Sequence, residues 1–147
     1  MPVVRHPDGE IYYELLGTGV PILFLLPQSV GPNGNKALVN SLSKKFSVIL
    51  FDQLGTGRSV ANSDKYGPSI SDRMTEISCL LDHLDIEASH LFCHSTGCGL
   101  GISWASSRPP RVKTLTLVNP WSYADEQLTT LQRLRIDAAK QLSPYSY

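Results

Sequence analysis

The chain is predicted to be an α/β fold, a mostly parallel sheet with an antiparallel hairpin at its N-terminal side and helices on both faces. Three observations predict it. Short apolar runs such as Ile22 to Leu26 and Ser47 to Asp52 have the length and continuity of strands buried on both faces. Helical stretches alternate with these runs, and that alternation implies parallel pairing through crossover helices. The 147 residues, 41% hydrophobic and 18% charged, suit one globular domain.

Each element has its own warrant. Val3 to Leu16, VVRHPDGEIYYELL, sets two apolar segments around a turn, with Asp8-Gly9 as the hairpin signal. Ile22 to Leu26 is a strand, and the Gly-, Pro- and Asn-rich PQSVGPNGN after it is a loop. Lys36 to Phe46 reads as a helix with Leu38 and Leu42 stacked four apart. Ser47 to Asp52 is a strand, followed by the glycine loop QLGTGRS. Ser69 and Asp72 have the spacing of a capping box, and Met74, Ile77, Leu81 and Leu84 then form one apolar helix face. SHLFCH is a strand, and Gly97 to Ser107 a helix that Arg-Pro-Pro stops. Lys113 to Asn119 is a strand, and Asp125 to Leu142 a helix with Leu128, Leu131, Leu134, Ala138 and Leu142 on one face.

Composition excludes some functions. Thirteen basic residues balance thirteen acidic ones, so nothing favours nucleic acid or an anionic membrane surface. The opening MPVVRHPDGE is too polar for a secretory leader, and Val20 to Pro27 is too short to span a bilayer. The three cysteines, Cys79, Cys93 and Cys98, are an odd count; free thiols and a cytoplasmic setting are expected. The spacing of Cys93 and Cys98 fits no common zinc pattern, so no metal is expected, and no other cofactor. Cys98 near a helix N-terminus is a candidate reactive thiol.

The chemistry concentrates in FCHSTGCG, Phe92 to Gly99, at a strand-to-helix junction. A nucleophile elbow holds its serine on such a turn, where close backbones require small residues two before and two or three after it. Ser95 would be that serine, with Cys93, Gly97 and Cys98 as the small elbow residues, Cys93 standing where glycine is usual. The N–H of Thr96, at the start of the helix, would meet a developing oxyanion. The competing reading is a phosphate-binding glycine loop. Gly97, Gly99 and Gly101 misfit the G-x-G-x-x-G spacing, and the next strand ends in Asn119 rather than an acid. Trp121 and Tyr123 follow a strand's carboxyl end and either line a substrate pocket or simply pack.

Four blocks, DGEIYYELLGTGVPILFLL, FSVILFDQLGTGRS, LFCHSTGCGLG and PRVKTLTLVNPW, resemble the α/β-hydrolase superfamily in order and spacing, from Val3 to Trp121. The resemblance implies that Ser95 attacks an acyl carbon, with oxyanion donors at Thr96 and Gln28. It also implies that the loop from Asp52 to Ser59 is a structural brace in which Asp52 and Arg58 pair. The stretch from LVNPW onward is similar to the start of the cap in enol-lactone and aminoacrylate hydrolases. That favours a small ester, lactone or related carbonyl substrate, cleaved through an acyl-enzyme intermediate.

A hydrolase of this order needs an acid and then a histidine after the serine. His6, His83, His90 and His94 all precede Ser95, and none is assigned as base. Asp125 and Glu126 suit a helix start, where carboxylates meet the positive dipole end. The resemblance therefore implies the N-terminal half of a hydrolase: residues 1–147 as one incomplete core domain, 124–147 beginning the cap, inactive alone. The strand at Lys113 would be an exposed edge. Its expected partners are a complementary C-terminal segment or a second copy, besides a small-molecule substrate. The alternative is a non-catalytic binding relative.

Overall fold

The computed structural model describes residues 2–27, 35–63, 68–121 and 123–141. Among these, seven strands and four helices follow in order: β1 (Val3–His6), β2 (Gly9–Leu16), β3 (Val20–Leu25), α1 (Lys36–Leu42), β4 (Phe46–Phe51), β5 (Val60–Ala61), α2 (Ile70–His83), β6 (Ser89–His94), α3 (Thr96–Ser107), β7 (Val112–Val118) and α4 (Glu126–Gln141). The sheet order is β1-β2-β4-β3-β6-β7, with β5 paired to β2. The β1–β2 and β2–β4 pairs are antiparallel, and β4–β3, β3–β6 and β6–β7 are parallel. The mixed sheet is thus the predicted one.

Its two faces carry separate cores, because alternate side chains of a strand point to opposite sides. Leu23, Leu25, Ile49, Leu91 and Cys93 join Ile77, Leu80 and Leu81 of α2 and Leu100 and Trp104 of α3. Ile22, Phe24, Val48 and Leu50 face the other way and take Val39 of α1, with Phe24 stacked on Phe92 at 4.6 Å. Pro21 is tolerated in the central β3 because it sits at the strand's start. The capping box of α2 forms as predicted: Ser69 N–H donates to the Asp72 carboxylate at 2.8 Å, and Asp72 N–H to the Ser69 hydroxyl at 3.2 Å. The Ser69 hydroxyl, which donates to the Asp72 carboxylate at 2.7 Å, and then the Ser69 N–H hold the Asp72 carboxyl below the usual carboxylate range.

Four details differ from expectation. The hairpin turns at Pro7-Asp8, with His6 opposite Gly9. Gly9 instead opens β2 at φ 156°, where any Cβ would strike the Val60 carbonyl of β5. Helix α1 ends at Leu42, because Phe46 is drawn into β4 opposite Val20. Its inward residues are Val39 and Leu42, three apart, while Leu38 is exposed. Strand β5, two residues long, is too short to leave a periodic signal. Helix α4 starts one residue late because Asp125 is its cap, its carboxylate accepting the Leu128 N–H at 2.7 Å. Leu142 lies outside the described residues.

On the far side of the sheet, β7 is an edge strand whose Lys113, Thr114 and Thr116 are exposed. Among the described residues, no helix is long and apolar enough to cross a membrane.

Candidate active site

The link from β6 to α3 is a single residue. Ser95 has φ 52° and ψ −117°, a region that costs a non-glycine residue roughly 1–3 kcal/mol. Its surroundings enforce it. Ser95 N–H donates to the Val118 carbonyl of β7 at 3.0 Å, and its own carbonyl accepts the Cys98 N–H at 2.9 Å. The Cys98 thiol donates to the same Val118 carbonyl at 3.4 Å. Thr96 opens α3, so its N–H has no carbonyl four residues back inside the helix.

The small residues around the serine now have individual reasons. A Cβ on Gly97 would collide with the Leu25 carbonyl at the end of β3. A Cβ on Gly101 would collide with the Cys93 sulfur. Cys93 therefore fits where glycine is usual because the bulk is taken from Gly101, one helical turn further along. Gly97 and Gly101 are spent on packing, while a Cβ on Gly99 would meet open space. The glycine run needs no phosphate to explain it. Both Cys93 and Cys98 are fully buried, and burial, with Cys98 beside it, pushes the Cys93 thiol up to about 12. A reactive surface thiol is not found at either position.

The carboxyl ends of the parallel strands open into a cleft of about 1060 Å³. The β6–α3 turn contributes Ser95, Thr96, Gly97 and Gly99; the β4–β5 loop contributes Gln53 to Thr56. Pro68, Ser69, Ile70 and Arg73 come from the start of α2, and Asn119 and Trp121 from beyond β7. Leu128, Leu131, Gln132 and Arg135 come from α4. Among the predicted site residues, Ser95, Thr96, Gly97 and Trp121 thus share one cleft. Tyr123 is 75% exposed and lies outside the lining. Gln28 lies outside the described residues, though Pro27 before it lines the cleft.

The histidines are accounted for. The His6 Nδ1 accepts the Asp8 N–H at 3.1 Å in the hairpin. His83 lies 3.5 Å from the Tyr13 hydroxyl, and the His90 Nδ1 lies 2.8 Å from the Thr114 hydroxyl. His94, the last residue of β6, also borders the cleft. The cleft sits over the strand ends, so the last residue of β6 reaches it from either face of the sheet.

Ion pairs fix the loop that borders the serine. Asp52 accepts Arg58 N–H at 2.9 Å and Arg58 Nε at 3.1 Å, and Arg58 Nη1 donates to Glu14 at 2.7 Å. The guanidinium lies 3.6 Å from the Tyr12 ring centroid. The Ser59 hydroxyl donates to the Asp52 carbonyl at 2.5 Å and accepts the Tyr12 N–H at 2.8 Å. A second clamp was not anticipated. Fully buried Glu76 accepts Arg73 Nη1 at 2.6 Å and the Leu54 N–H at 3.1 Å, while Arg73 Nη1 donates to the Leu54 carbonyl at 3.0 Å. Both backbone groups of Leu54 are thereby held by one buried pair. Its sequence signal was an Arg and a Glu three apart among the apolar residues of α2.

Comparison with known proteins agrees with this geometry. Residues 22–141 match the family model described as "alpha/beta hydrolase fold". The protein named "Putative carbamate hydrolase RutD" of Azorhizobium caulinodans is 35% identical over 126 residues, 85% of this chain and 46% of its own length. The crystal structure of MGS-M2, an α/β-hydrolase enzyme from a Medee basin deep-sea metagenome library, superposes with a TM-score of 0.87 at 20% identity. That match covers 95% of this chain and 52% of MGS-M2. Est816, described as an N-acyl homoserine lactone degrading enzyme, matches with a TM-score of 0.71 at 29% identity, over 79% of this chain and 44% of Est816. The chain spans about half the length of the relatives it matches. With its mixed sheet, strained serine turn and family match, the chain belongs to the α/β-hydrolase family.

Proposed function

We propose that this chain carries the nucleophile half of a serine hydrolase acting on a small carbonyl compound: a carbamate, ester or lactone. The observation that carries the reading is Ser95 at φ 52°, bordering the cleft directly before the first turn of α3. Ser95 Oγ attacks the carbonyl carbon, and the developing oxyanion takes the Thr96 N–H, with Gln28 as the second donor implied by family likeness. One such donor is worth on the order of 3 kcal/mol of barrier. Trp121 borders the space for the acyl group. The related carbamate hydrolase and lactone-degrading enzyme support the substrate class.

The Ser95 proton needs an acceptor. No histidine follows Ser95 in these 147 residues, His6, His83 and His90 are engaged elsewhere, and His94, though it borders the cleft, makes no hydrogen bond to Ser95 among the described residues. Without a general base the serine is a weak nucleophile near neutral pH, so water or hydroxide takes the proton and the chain alone reacts slowly. That no histidine is hydrogen-bonded to Ser95 among the described residues favours a second reading, a cleft that binds carbonyl compounds without turning them over.

Fluorophosphonate labelling followed by peptide mass spectrometry separates the two. Attack by Ser95 forms the O–P bond, expels fluoride and leaves an adduct on the peptide containing Ser95, absent in Ser95→Ala. The labelling rate is expected to rise with pH as hydroxide becomes available. Equal labelling of both proteins, or none in either, contradicts the nucleophile reading.

A further inference from the structure

We propose that Arg135 determines the specificity of this cleft, its guanidinium receiving a carboxylate that the substrate carries a few bonds from the reacting carbonyl. For the reaction this rests on the Ser95 reading; for binding it does not. Among the described residues, the ionisable side chains that line the cleft are Arg73, His94 and Arg135, with no aspartate or glutamate beside them. Arg73 is opposed by buried Glu76 at 2.6 Å. Arg135 makes no ion pair or hydrogen bond among the described residues.

Helix α4 aims this charge. Its lining residues, Leu128, Leu131, Gln132 and Arg135, recur at offsets of three, four and seven, which is one helix face. Along that face two leucines lead to an amide donor and then to a guanidinium. Asp137, two residues on, does not share the face, and Asp125 is occupied in capping the helix. A guanidinium fork matches a carboxylate in geometry as well as charge, which a lysine does not. The chemistry along α4 therefore fits a ligand with a small apolar or carbonyl body and an anionic end.

The test compares monomethyl succinate with dimethyl succinate, which differ in one negative charge, by calorimetric titration of the chain and of Arg135→Gln and Arg135→Lys. Arg135 is exposed, so both variants should keep the far-ultraviolet dichroism of the parent. The monoester is expected to bind the unmodified chain roughly five- to tenfold more tightly than the diester. That preference should shrink with added salt, vanish in Arg135→Gln and survive in part in Arg135→Lys. Equal affinity for the two esters, no binding of either, or a preference intact in Arg135→Gln overturns the assignment. Preference without Ser95-dependent fluorophosphonate labelling removes the reaction and keeps the anion site. Labelling without preference keeps the nucleophile and removes the role of Arg135.

Discussion

Glu76→Ala should destabilise the chain by about 3–5 kcal/mol, the cost of breaking a buried ion pair by removing one of its members. The Glu76 carboxylate is fully buried and receives Arg73 and the Leu54 N–H through different oxygens. Its removal takes from Arg73 the carboxylate 2.6 Å away and from the buried Leu54 N–H its acceptor. Removing both ends of the pair should be milder, the residual cost being the Leu54 N–H and carbonyl that then lose their side-chain partners. Arg73→Met with Glu76→Leu replaces two buried ions by apolar groups of similar volume, an exchange that is often neutral or stabilising. Urea unfolding of the single and double variants measures the coupling directly. A double variant as unstable as the sum of the singles would show that the two charges act independently. Because the pair holds Leu54, and Leu54 lines the cleft, Glu76→Ala should also slow the labelling of Ser95.

Gly97→Ala should have the second large effect. The added methyl has no flexible side chain to push aside; it meets the carbonyl of Leu25 and the N–H of Leu26, backbone at the end of central strand β3. Either α3 slides away from the sheet or β3 yields, and overpacking of this kind costs about 1–3 kcal/mol or more. Function should suffer beyond stability. A displacement of about 1 Å in a catalytic group can cost about a hundredfold in rate, so Ser95 labelling should fall at least tenfold in protein that is still folded. Gly99→Ala is the control, since a Cβ there meets nothing within 4 Å. Similar losses in both variants would mean that the close approach of β3 does not govern this turn, because alanine is the better helix former at either position and propensity alone would strengthen α3.

The parts of the molecule legible in the sequence are those set by local signals. Continuous apolar runs marked β3, β4 and β6, and Ser69 with Asp72 marked the start of α2. The small residues beside Ser95 marked the elbow, because a tight strand-to-helix turn constrains near neighbours. What stayed hidden depends on partners distant in sequence. Val60 forms a strand only because Glu10 is there to pair with it. Phe46 leaves α1 only because β3 offers an edge. The compensation of Cys93 by Gly101 requires knowing that one turn of α3 lies on β6. The Arg73–Glu76 clamp and the α4 face that ends in Arg135 were present as spacings. Their meaning came from which face the fold turned toward the cleft. The apolar stripe of α4 was readable, but not its exposure: Leu134 is 61% exposed.

The central claim is that the backbone at Ser95 is bent so that its hydroxyl enters the cleft beside the first N–H of α3. A crystal structure of this chain tests it most directly. The expected result is Ser95 at a positive φ near 52°, its hydroxyl open to the cleft and its N–H on the Val118 carbonyl. A Ser95 with strand or helical dihedrals, or with its hydroxyl packed into either core, would contradict the account.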